Sequence, residues 1–332
     1  MSPKFTIIVP LYNKAPYVRK ALQSVCNQTY ADWECLIIDD GSTDGSADVV
    51  RDYIRALNGE NGENGGMVNM HVLSQQNAGV AAARNRGVKD SKGEYVSFLD
   101  ADDWWESNFL EEVDKLIAEY PDAGIYCTNY IYYKPGKTHV ALNLPRGYMN
   151  YPQAYLQSVA MPVTSITTCM PRKVFDEMGG FPVGIKLGED FMLWAKTAVH
   201  YKIAFCEKPL AYYNNDIPAS LRATRNLYEP QFNMLFNLES LESEIRLNGE
   251  NGEEWKALFD WLRVNGLMEY WMSDEYNEAA AKELDKVDWS KQPRKMLKKY
   301  KQPIWVLRYK RRFMQIGSYC KQNLLRMITK MK

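Results

Sequence analysis

The sequence predicts an α/β fold with a mostly parallel central sheet flanked by helices, followed by a helical C-terminal region. In the first third of the chain, short apolar runs alternate with helical patterns, as parallel strands joined by crossover helices do. Beyond Leu227 helical patterns dominate, including Trp255–Tyr270. The chain has 332 residues, 46% hydrophobic and 25% charged, and this is typical of a globular protein with a buried core.

The first elements follow from local pattern. β-branched and apolar runs predict strands, helical spacing or alanine enrichment predicts helices, and Pro10 is expected to end the first strand. The predicted strands are 5–9, 34–38, 70–73 and 94–99, and the predicted helices are 16–26, 45–57 and 78–88. We place a domain boundary near residue 225, where alternation gives way to helical patterns.

Charge is distributed unevenly along the chain. Residues 291–332 hold 14 Lys and Arg and no Asp or Glu, although the whole chain has zero net charge. This basic tail also carries apolar residues, and a basic helix with an apolar face can lie on an anionic membrane. Packing of its apolar face on the acidic remainder of the chain is the alternative. No nucleic-acid recognition motif accompanies the charge, so nucleic acid is not an expected partner.

Cysteine usage and hydropathy limit the class further. The six cysteines are scattered without a CxxC pair, which predicts reduced thiols rather than a zinc site. Neither a signal-peptide pattern nor 18 uninterrupted apolar residues is present. We therefore expect a cytoplasmic protein without a membrane span. Binding to the inner face of the membrane through 291–332 is compatible with this expectation.

An acidic run follows the fourth predicted strand directly. Asp100-Ala-Asp-Asp103 places three carboxylates beyond a strand end, where α/β sheets bind ligands. A cation such as Mg²⁺ or Mn²⁺ would neutralise them, whereas an Asp-rich cap on the next helix is the alternative. The run alone does not decide between these.

Other strand ends carry polar residues too. The segments are Val9-Pro-Leu-Tyr-Asn13, Asp39-Asp-Gly-Ser-Thr-Asp44 and Gln76-Asn-Ala-Gly-Val-Ala-Ala-Ala-Arg-Asn-Arg-Gly87. Asp40 could accept from a base N–H, and Arg84 could meet a diphosphate. Caps alone do not explain four such strand ends on one rim, and this favours a nucleotide site.

In order and spacing, these segments resemble the family-2 glycosyltransferases, inverting enzymes of the GT-A fold. The later segments GGF (179–181) and GED (188–190) fit the same pattern, and the resemblance covers roughly residues 4–220. It implies a catalytic domain over 1–225, with a nucleotide-sugar half at about 1–105 and an acceptor half at about 106–225, followed by 226–332.

The resemblance also implies residue roles. Pro10, Tyr12 and Asp40 would line the base pocket together with Asn13 and Asn77, and Arg84 would lie near the base or diphosphate. Asp100 would face the ribose, Asp102 would bind Mn²⁺ or Mg²⁺ with Asp100 beside it, and Asp103 would serve the metal or the next helix.

An inverting transfer needs a base for the acceptor hydroxyl. Gly188-Glu189-Asp190 precedes an amphipathic stretch and should open a helix, where acidic residues are also favoured by the helix dipole. The resemblance makes Asp190 the base and Glu189 a residue that orients it or the acceptor.

One departure concerns the last metal ligand. Many relatives carry a histidine after the last strand, whereas this chain has Tyr212-Tyr-Asn-Asn-Asp216 there. Asp216 is the candidate replacement. The histidines His71, His139 and His200 lie elsewhere. Of the many aromatic residues, Trp104 or Trp105 is expected near the site because both adjoin the acidic run.

Together these features predict transfer from a nucleoside-diphosphate sugar, with UDP-sugar favoured, to a saccharide or lipid-linked saccharide. A non-catalytic carbohydrate-binding or scaffolding protein on the same fold is the alternative, but it would be expected to have lost the carboxylates. A nucleotidyltransferase needs a glycine-rich phosphate loop after the first strand, and VPLYNKAPY has no glycine. A nicotinamide-dependent dehydrogenase needs GxGxxG after a strand, and the sequence contains none.

Overall fold

The computed structural model describes residues 2–58, 68–158, 160–218, 226–248 and 251–311. The end of the basic tail, 312–332, lies outside the described residues. The chain divides into two compact units, the first ending at Trp255 and the second beginning at Lys256.

The first unit is built on one mixed sheet. Its strands are β1 (Phe5–Leu11), β2 (Trp33–Asp39), β3 (Met70–Ser74), β4 (Tyr95–Phe98), β5 (Trp104–Trp105), β6 (Ala123–Tyr133), β7 (His139–Val140), β8 (Gly147–Met149), β9 (Thr168–Pro171) and β10 (Lys202–Asn214). The order along the sheet is β3-β2-β1-β4-β9-β6-β10-β5.

Helices connect and flank these strands. In the first unit they are α1 (Val18–Cys26), α2 (Ser46–Asn58), α3 (Val80–Asp90), α4 (Phe109–Glu119), α5 (Tyr151–Gln157), α6 (Arg172–Met178), α7 (Glu189–His200) and α8 (Glu239–Asn248). The predicted α/β fold with a mostly parallel sheet is confirmed: β1 pairs in parallel with β2 and β4, β2 with β3, and β6 with β10. Strand β9 is antiparallel to both β4 and β6.

Strand β1 lies between β2 and β4 in the sheet and is buried along its whole length. It does not end at Pro10 as predicted but continues to Leu11. In a strand, the backbone N–H and C=O groups of residues i and i+2 point to the same neighbouring strand. The carbonyl of Ile8 accepts from the N–H of Leu99 on the β4 side, so the backbone nitrogen of Pro10 also faces β4. The β1–β4 ladder has ended at Phe98 by then, and the missing N–H of Pro10 costs no ladder bond.

The unit boundary lies later than the domain boundary that we expected near residue 225. Helix α8 packs against α7 in the first unit, and His200 Nε2 lies 2.7 Å from Glu244 Oε1. This tertiary contact joins a helix-rich segment to the α/β unit. Local pattern does not reveal such a contact.

The second unit is helical, which confirms the predicted helical C-terminal region. Besides most of α9 (Gly252–Gly266) it contains α10 (Met268–Trp271), α11 (Asn277–Leu284) and α12 (Arg294–Tyr300). Its interior includes a charged pair, because Arg263 is fully buried and its Nε donates to Glu283 Oε2 at 3.1 Å. In the described part of the chain, no helix is long and apolar enough to cross a membrane.

Close packing of α3 on β1 depends on Gly87. A Cβ atom at this position would lie 2.5 Å from Cγ2 of Ile8, well inside van der Waals contact. The absence of a side chain therefore lets the helix that carries Arg84 approach the central strand.

We predict that Gly87→Ala lowers the free energy of unfolding by about 1–3 kcal/mol, because the added methyl group forces α3 away from β1. Urea unfolding followed by circular dichroism measures the change. Gly252→Ala is the matched control, since no atom lies within 4 Å of a Cβ there. Equal stability of the two variants would contradict the packing argument.

Candidate active site

The candidate site lies at the rim where the first strands end. Because β1 is parallel to both β2 and β4, the segments that follow these three strands meet at one edge of the sheet. Tyr12 and Asn13 follow β1, Asp40 follows β2, and Asp100 lies just beyond β4. The convergence of strand ends expected from the sequence is therefore present.

The loop after β1 is fixed to the loop after β2. Asn13, with φ of 52°, accepts from the N–H of Thr43 at 2.8 Å, and its own N–H donates to Ser42 Oγ at 3.2 Å. Asn tolerates this left-handed conformation better than most residues. The N–H of Lys14 donates to Ser46 Oγ at 2.8 Å. In this structure Asn13 thus joins two rim loops.

Asp40 is buried and anchors the segment that begins α3. Its Oδ1 accepts from Gln75 Nε2 at 2.8 Å and from the N–H of Ala78 at 2.9 Å, and its Oδ2 accepts from the N–H of Gly79 at 2.9 Å. A carboxylate has about four acceptor sites, so Oδ2 retains capacity for one further donor.

The other predicted base-pocket residues differ in exposure. Tyr12 is 48% exposed at the rim, and Asn77 is exposed on the loop before α3. Pro10, in contrast, is buried within β1. Tyr12 and Asn77 are therefore accessible to a ligand, whereas Pro10 shapes the strand beneath them.

Arg84 joins the two walls of the site. Its side chain is 4% exposed, and it donates from Nη2 to Asp100 Oδ1 at 2.7 Å and from Nη1 to Glu189 Oε1 at 2.9 Å. Burial alone would lower the pKa of Arg84, but the charges of Asp100 and Glu189 outweigh it and raise that pKa. The guanidinium also lies 5.1 Å from the ring centroid of Phe181.

Asp190 lies beside this bridge in the first turn of α7. The helix begins after Gly188, whose φ of 86° suits a residue without a side chain. Burial of the Asp190 carboxyl and the neighbouring charge of Glu189 raise its pKa to about 7, while Arg84 and the N–H of Phe191 act in the opposite direction. A carboxyl with such a pKa can accept a proton near neutral pH.

Within the acidic run, each carboxylate has its own partner. Asp100 accepts from Arg84, and Asp102 Oδ2 lies 2.6 Å from Lys14 Nζ. Asp103 is buried and accepts from the N–H of Asn214 at 2.7 Å. Burial and the charges of Asp102 and Asp100 raise the pKa of Asp103 well above its ordinary value.

The run does not cap the next helix, because α4 begins only at Phe109 and its N-cap position is Asn108. This removes the alternative that the sequence left open. Asp103 likewise does not serve that helix but binds the end of β10. Asp216, exposed in the turn that follows, donates its N–H to Asn214 Oδ1 at 2.9 Å and lies two residues from the Asp103 contact.

Asp102 and Asp100 suit a divalent cation by their chemistry. Mg²⁺ prefers carboxylate oxygens and usually combines one or two of them with substrate phosphates and water. Asp102 is half-buried at the open rim, with Asp100 two residues away. Within the described ranges, no group of three or more His, Cys, Asp or Glu side chains is arranged to hold a metal ion.

The two tryptophans after the acidic run separate. Trp105 is buried, stacks on Phe109 and donates to the carbonyl of Ile166. Trp104 is half-buried and stacks on Tyr212 with 5.1 Å between ring centroids. Its ring centroid also lies 2.9 Å from Lys20 Nζ and the ring packs edge-on against Tyr133, so Trp104 is the less buried of the two but its ring already has partners.

Sequence reasoning did not find the partners that several residues of this site have in the structure. The Arg84–Glu189 bond joins residues 105 positions apart, and the Lys14–Asp102 pair joins residues 88 apart. Asn214 entered as part of a segment, without its backbone contact to Asp103. The only available signal was that Lys14 directly follows a rim residue.

Comparison with known proteins finds similar sequences among glycosyltransferases. Glycosyltransferase GlyA of Streptococcus pneumoniae is 39% identical to this chain over 127 residues. The match covers 38% of this chain and 17% of GlyA. A putative teichuronic acid biosynthesis glycosyltransferase of Bacillus subtilis, TuaG, is 35% identical over 33% of this chain and 40% of its own length. The chain thus matches well under half the length of either relative.

Among solved structures, residues 1–349 of Staphylococcus aureus TarS in complex with UDP-GlcNAc share the fold with a TM-score of 0.67. The alignment covers 85% of this chain and 79% of TarS 1–349 at 20% identity. The family model for glycosyl transferase family 2 matches residues 6–179, more than half of the chain and the part that carries Asp40, Arg84 and Asp100. The chain therefore belongs to glycosyl transferase family 2.

Proposed function

We propose that this chain is an inverting glycosyltransferase that moves a hexosyl group from a nucleoside-diphosphate sugar to a hydroxyl acceptor. The observation that carries the proposal is the Arg84 bridge, because it brings the donor-side residue Asp100 and the start of α7 into one site. The base candidate Asp190 thereby lies beside the residues expected to bind the donor.

A UDP-sugar is the favoured donor, and cell-surface polysaccharide or glycolipid synthesis is the favoured setting. TarS, which shares the fold, has been crystallised with UDP-GlcNAc, and TuaG is named for teichuronic acid biosynthesis. These descriptions apply to TarS and TuaG, and they support the proposal for this chain only through similarity of fold or sequence. The acceptor would be a saccharide or a lipid-linked saccharide.

The proposed reaction is a single displacement. The acceptor hydroxyl oxygen forms a bond to the anomeric carbon while the bond from that carbon to the diphosphate oxygen breaks, which inverts the configuration. Asp190 accepts the hydroxyl proton, and the bond electrons leave with the nucleoside diphosphate. Glu189, held by Arg84, orients Asp190 or the acceptor.

The donor would bind across the strand ends. Tyr12, Asn77 and the free acceptor site of Asp40 would contact the base, and Asp100 would face the ribose. Mn²⁺ or Mg²⁺, held by Asp102 with Asp100 beside it, would supply positive charge to the departing diphosphate. Asp216 would join them only after its side chain moved, because no three such side chains are arranged for a metal in the described residues. Arg84 adds a fixed cation in the same wall.

We predict that Asp190→Asn lowers kcat roughly 10²–10⁴-fold, since an amide cannot accept the proton. Because the carboxyl must be ionised to act, activity of the unaltered protein should rise with pH through about 7. Glu189→Gln removes a neighbouring negative charge that raises the pKa of Asp190, so this limb should move to lower pH. Donor turnover measured from pH 5 to 9 tests both variants.

An unchanged kcat in Asp190→Asn would reject this base. Absence of turnover in the unaltered protein with every donor tried would favour the alternative of a non-catalytic carbohydrate-binding protein. If the rise of activity with pH occurs at the same pH in Glu189→Gln as in the unaltered protein, the titrating group is not Asp190.

We predict that UDP with Mn²⁺ raises the melting temperature more than UDP alone, because the metal should lower the Kd of UDP. A ligand that binds only the folded state stabilises it more as its concentration exceeds its Kd, by about 2.7 kcal/mol at 100 times the Kd. Asp102→Asn should remove the metal-dependent part of this shift and leave the UDP part. Thermal-shift measurements with UDP and GDP, each with and without Mn²⁺, identify the nucleotide as well. An equal metal effect in Asp102→Asn would exclude Asp102 as the ligand.

We also propose that the protein binds the inner face of an anionic membrane through 291–332. In the described part of this tail, residues 304–311 are helical, and Trp305 is 72% exposed and Tyr309 61% exposed. Four residues apart on a helix, they share one face, and exposed aromatics beside cations suit a membrane interface. A lipid-linked acceptor would make such docking useful.

We predict that Trp305→Ala weakens binding to phosphatidylserine vesicles at least about threefold, because the indole ring no longer enters the interface. Cosedimentation at low and high salt measures this binding. Leu247→Ala, at an exposed apolar position of α8, is the control and should bind as the unaltered protein does. Equal partitioning of all three proteins would exclude docking through this helix.

A further inference from the structure

Lys14 has a fixed backbone and a long side chain aimed at the proposed metal ligand. Its N–H donates to Ser46 Oγ, and its carbonyl accepts from the N–H groups of Tyr17 and Val18, which lead into α1. The ammonium lies 2.6 Å from Asp102 Oδ2. Because these hydrogen bonds hold the backbone on both sides, rotation of the side chain is the simplest way to move this charge.

The Lys14–Asp102 pair is more enclosed than an ordinary surface ion pair, since the two side chains are only 18% and 13% exposed. Neighbouring carboxylates have other partners: Arg84 contacts Asp100, and the N–H of Asn214 contacts Asp103. Within the described residues, Lys14 is thus the cation in contact with Asp102. A divalent cation that takes Oδ2 of Asp102 must displace this ammonium.

We propose that Lys14 is a competing cation that couples metal binding to donor binding. Without the nucleotide, the ammonium neutralises Asp102 and keeps affinity for the metal low. A nucleoside diphosphate brings negative charge to the rim and offers the displaced ammonium new phosphate partners. Metal and nucleotide then bind cooperatively, and by linkage each tightens the other by the same factor.

This inference rests on the proposed function in one respect, the assignment of Asp102 as the metal ligand. Its consequence is specific, because an ion pair with only a structural role would affect folding stability and leave metal affinity alone. Lys4 and Asp114 form such a pair in the first unit, away from the acidic run. They provide the matched comparison.

The test measures Mn²⁺ binding by isothermal titration calorimetry, with and without UDP, in the full chain. Lys14→Met should bind Mn²⁺ alone roughly tenfold more tightly, equivalent to about 1.4 kcal/mol, because no ammonium competes. The factor by which UDP tightens Mn²⁺ binding should fall by a similar amount. Lys4→Met should match the unaltered protein in both.

Lys14→Arg is a second variant with the opposite expectation. A guanidinium pairs with a carboxylate more firmly than an ammonium, so Mn²⁺ alone should bind more weakly than to the unaltered protein. This variant keeps the charge, and it tests the inference even if Lys14→Met is unstable in a thermal melt. Mn²⁺ affinity and UDP coupling unchanged in both Lys14 variants would overturn the inference.

Asp102→Asn separates this inference from the proposed function. Mn²⁺ affinity that is unchanged in Asp102→Asn would reject Asp102 as the ligand and with it the role of Lys14. Cooperative Mn²⁺ and UDP binding that depends on Lys14, in a protein that transfers no sugar, would support the inference while the proposed function failed.

Discussion

The buried guanidinium of Arg84 sets the arrangement on which the site depends. A buried charge without partners costs several kcal/mol, so Arg84 requires both Asp100 and Glu189 within hydrogen-bond distance. These three residues belong to α3, to the end of β4 and to the start of α7. The requirement therefore fixes the segment expected to hold the donor against the helix that carries Asp190, before any ligand is bound.

The same principle orders the rest of the rim. Several carboxylates lie close together there, and the charge of each is compensated differently. A guanidinium contacts Asp100, and an ammonium contacts Asp102. Asp103 accepts from a backbone N–H, and its own pKa is raised, which favours its neutral form. The compensation of Asp102 comes from a flexible side chain, whereas that of Asp100 comes from a buried one. The proposed exchange with a metal ion would therefore be easier at Asp102 than at Asp100.

Much of the fold from β1 to β4 could be predicted because its signals are local. Apolar runs of strand length and helical spacing recovered β1 to β4 and α1 to α3 within a few residues, and the ends of parallel strands necessarily share an edge. The insertion of β9 between β4 and β6 and the packing of α8 depend on contacts between distant segments. The Arg84–Glu189 and Lys14–Asp102 bonds are of the same kind, so residue types could be proposed from sequence but their partners could not.

At Asp190, opposing effects of the fold set the pKa of the proposed base. A position in the first turn of α7, the N–H of Phe191 and the charge of Arg84 all favour its ionised form, whereas burial and the charge of Glu189 favour the protonated form. Burial and Glu189 prevail, and the pKa rises to about 7. Because Arg84 contacts Glu189 directly, it limits that rise as well as placing the helix. The bridge that assembles the site thus also helps to keep its proposed base ionisable near neutral pH.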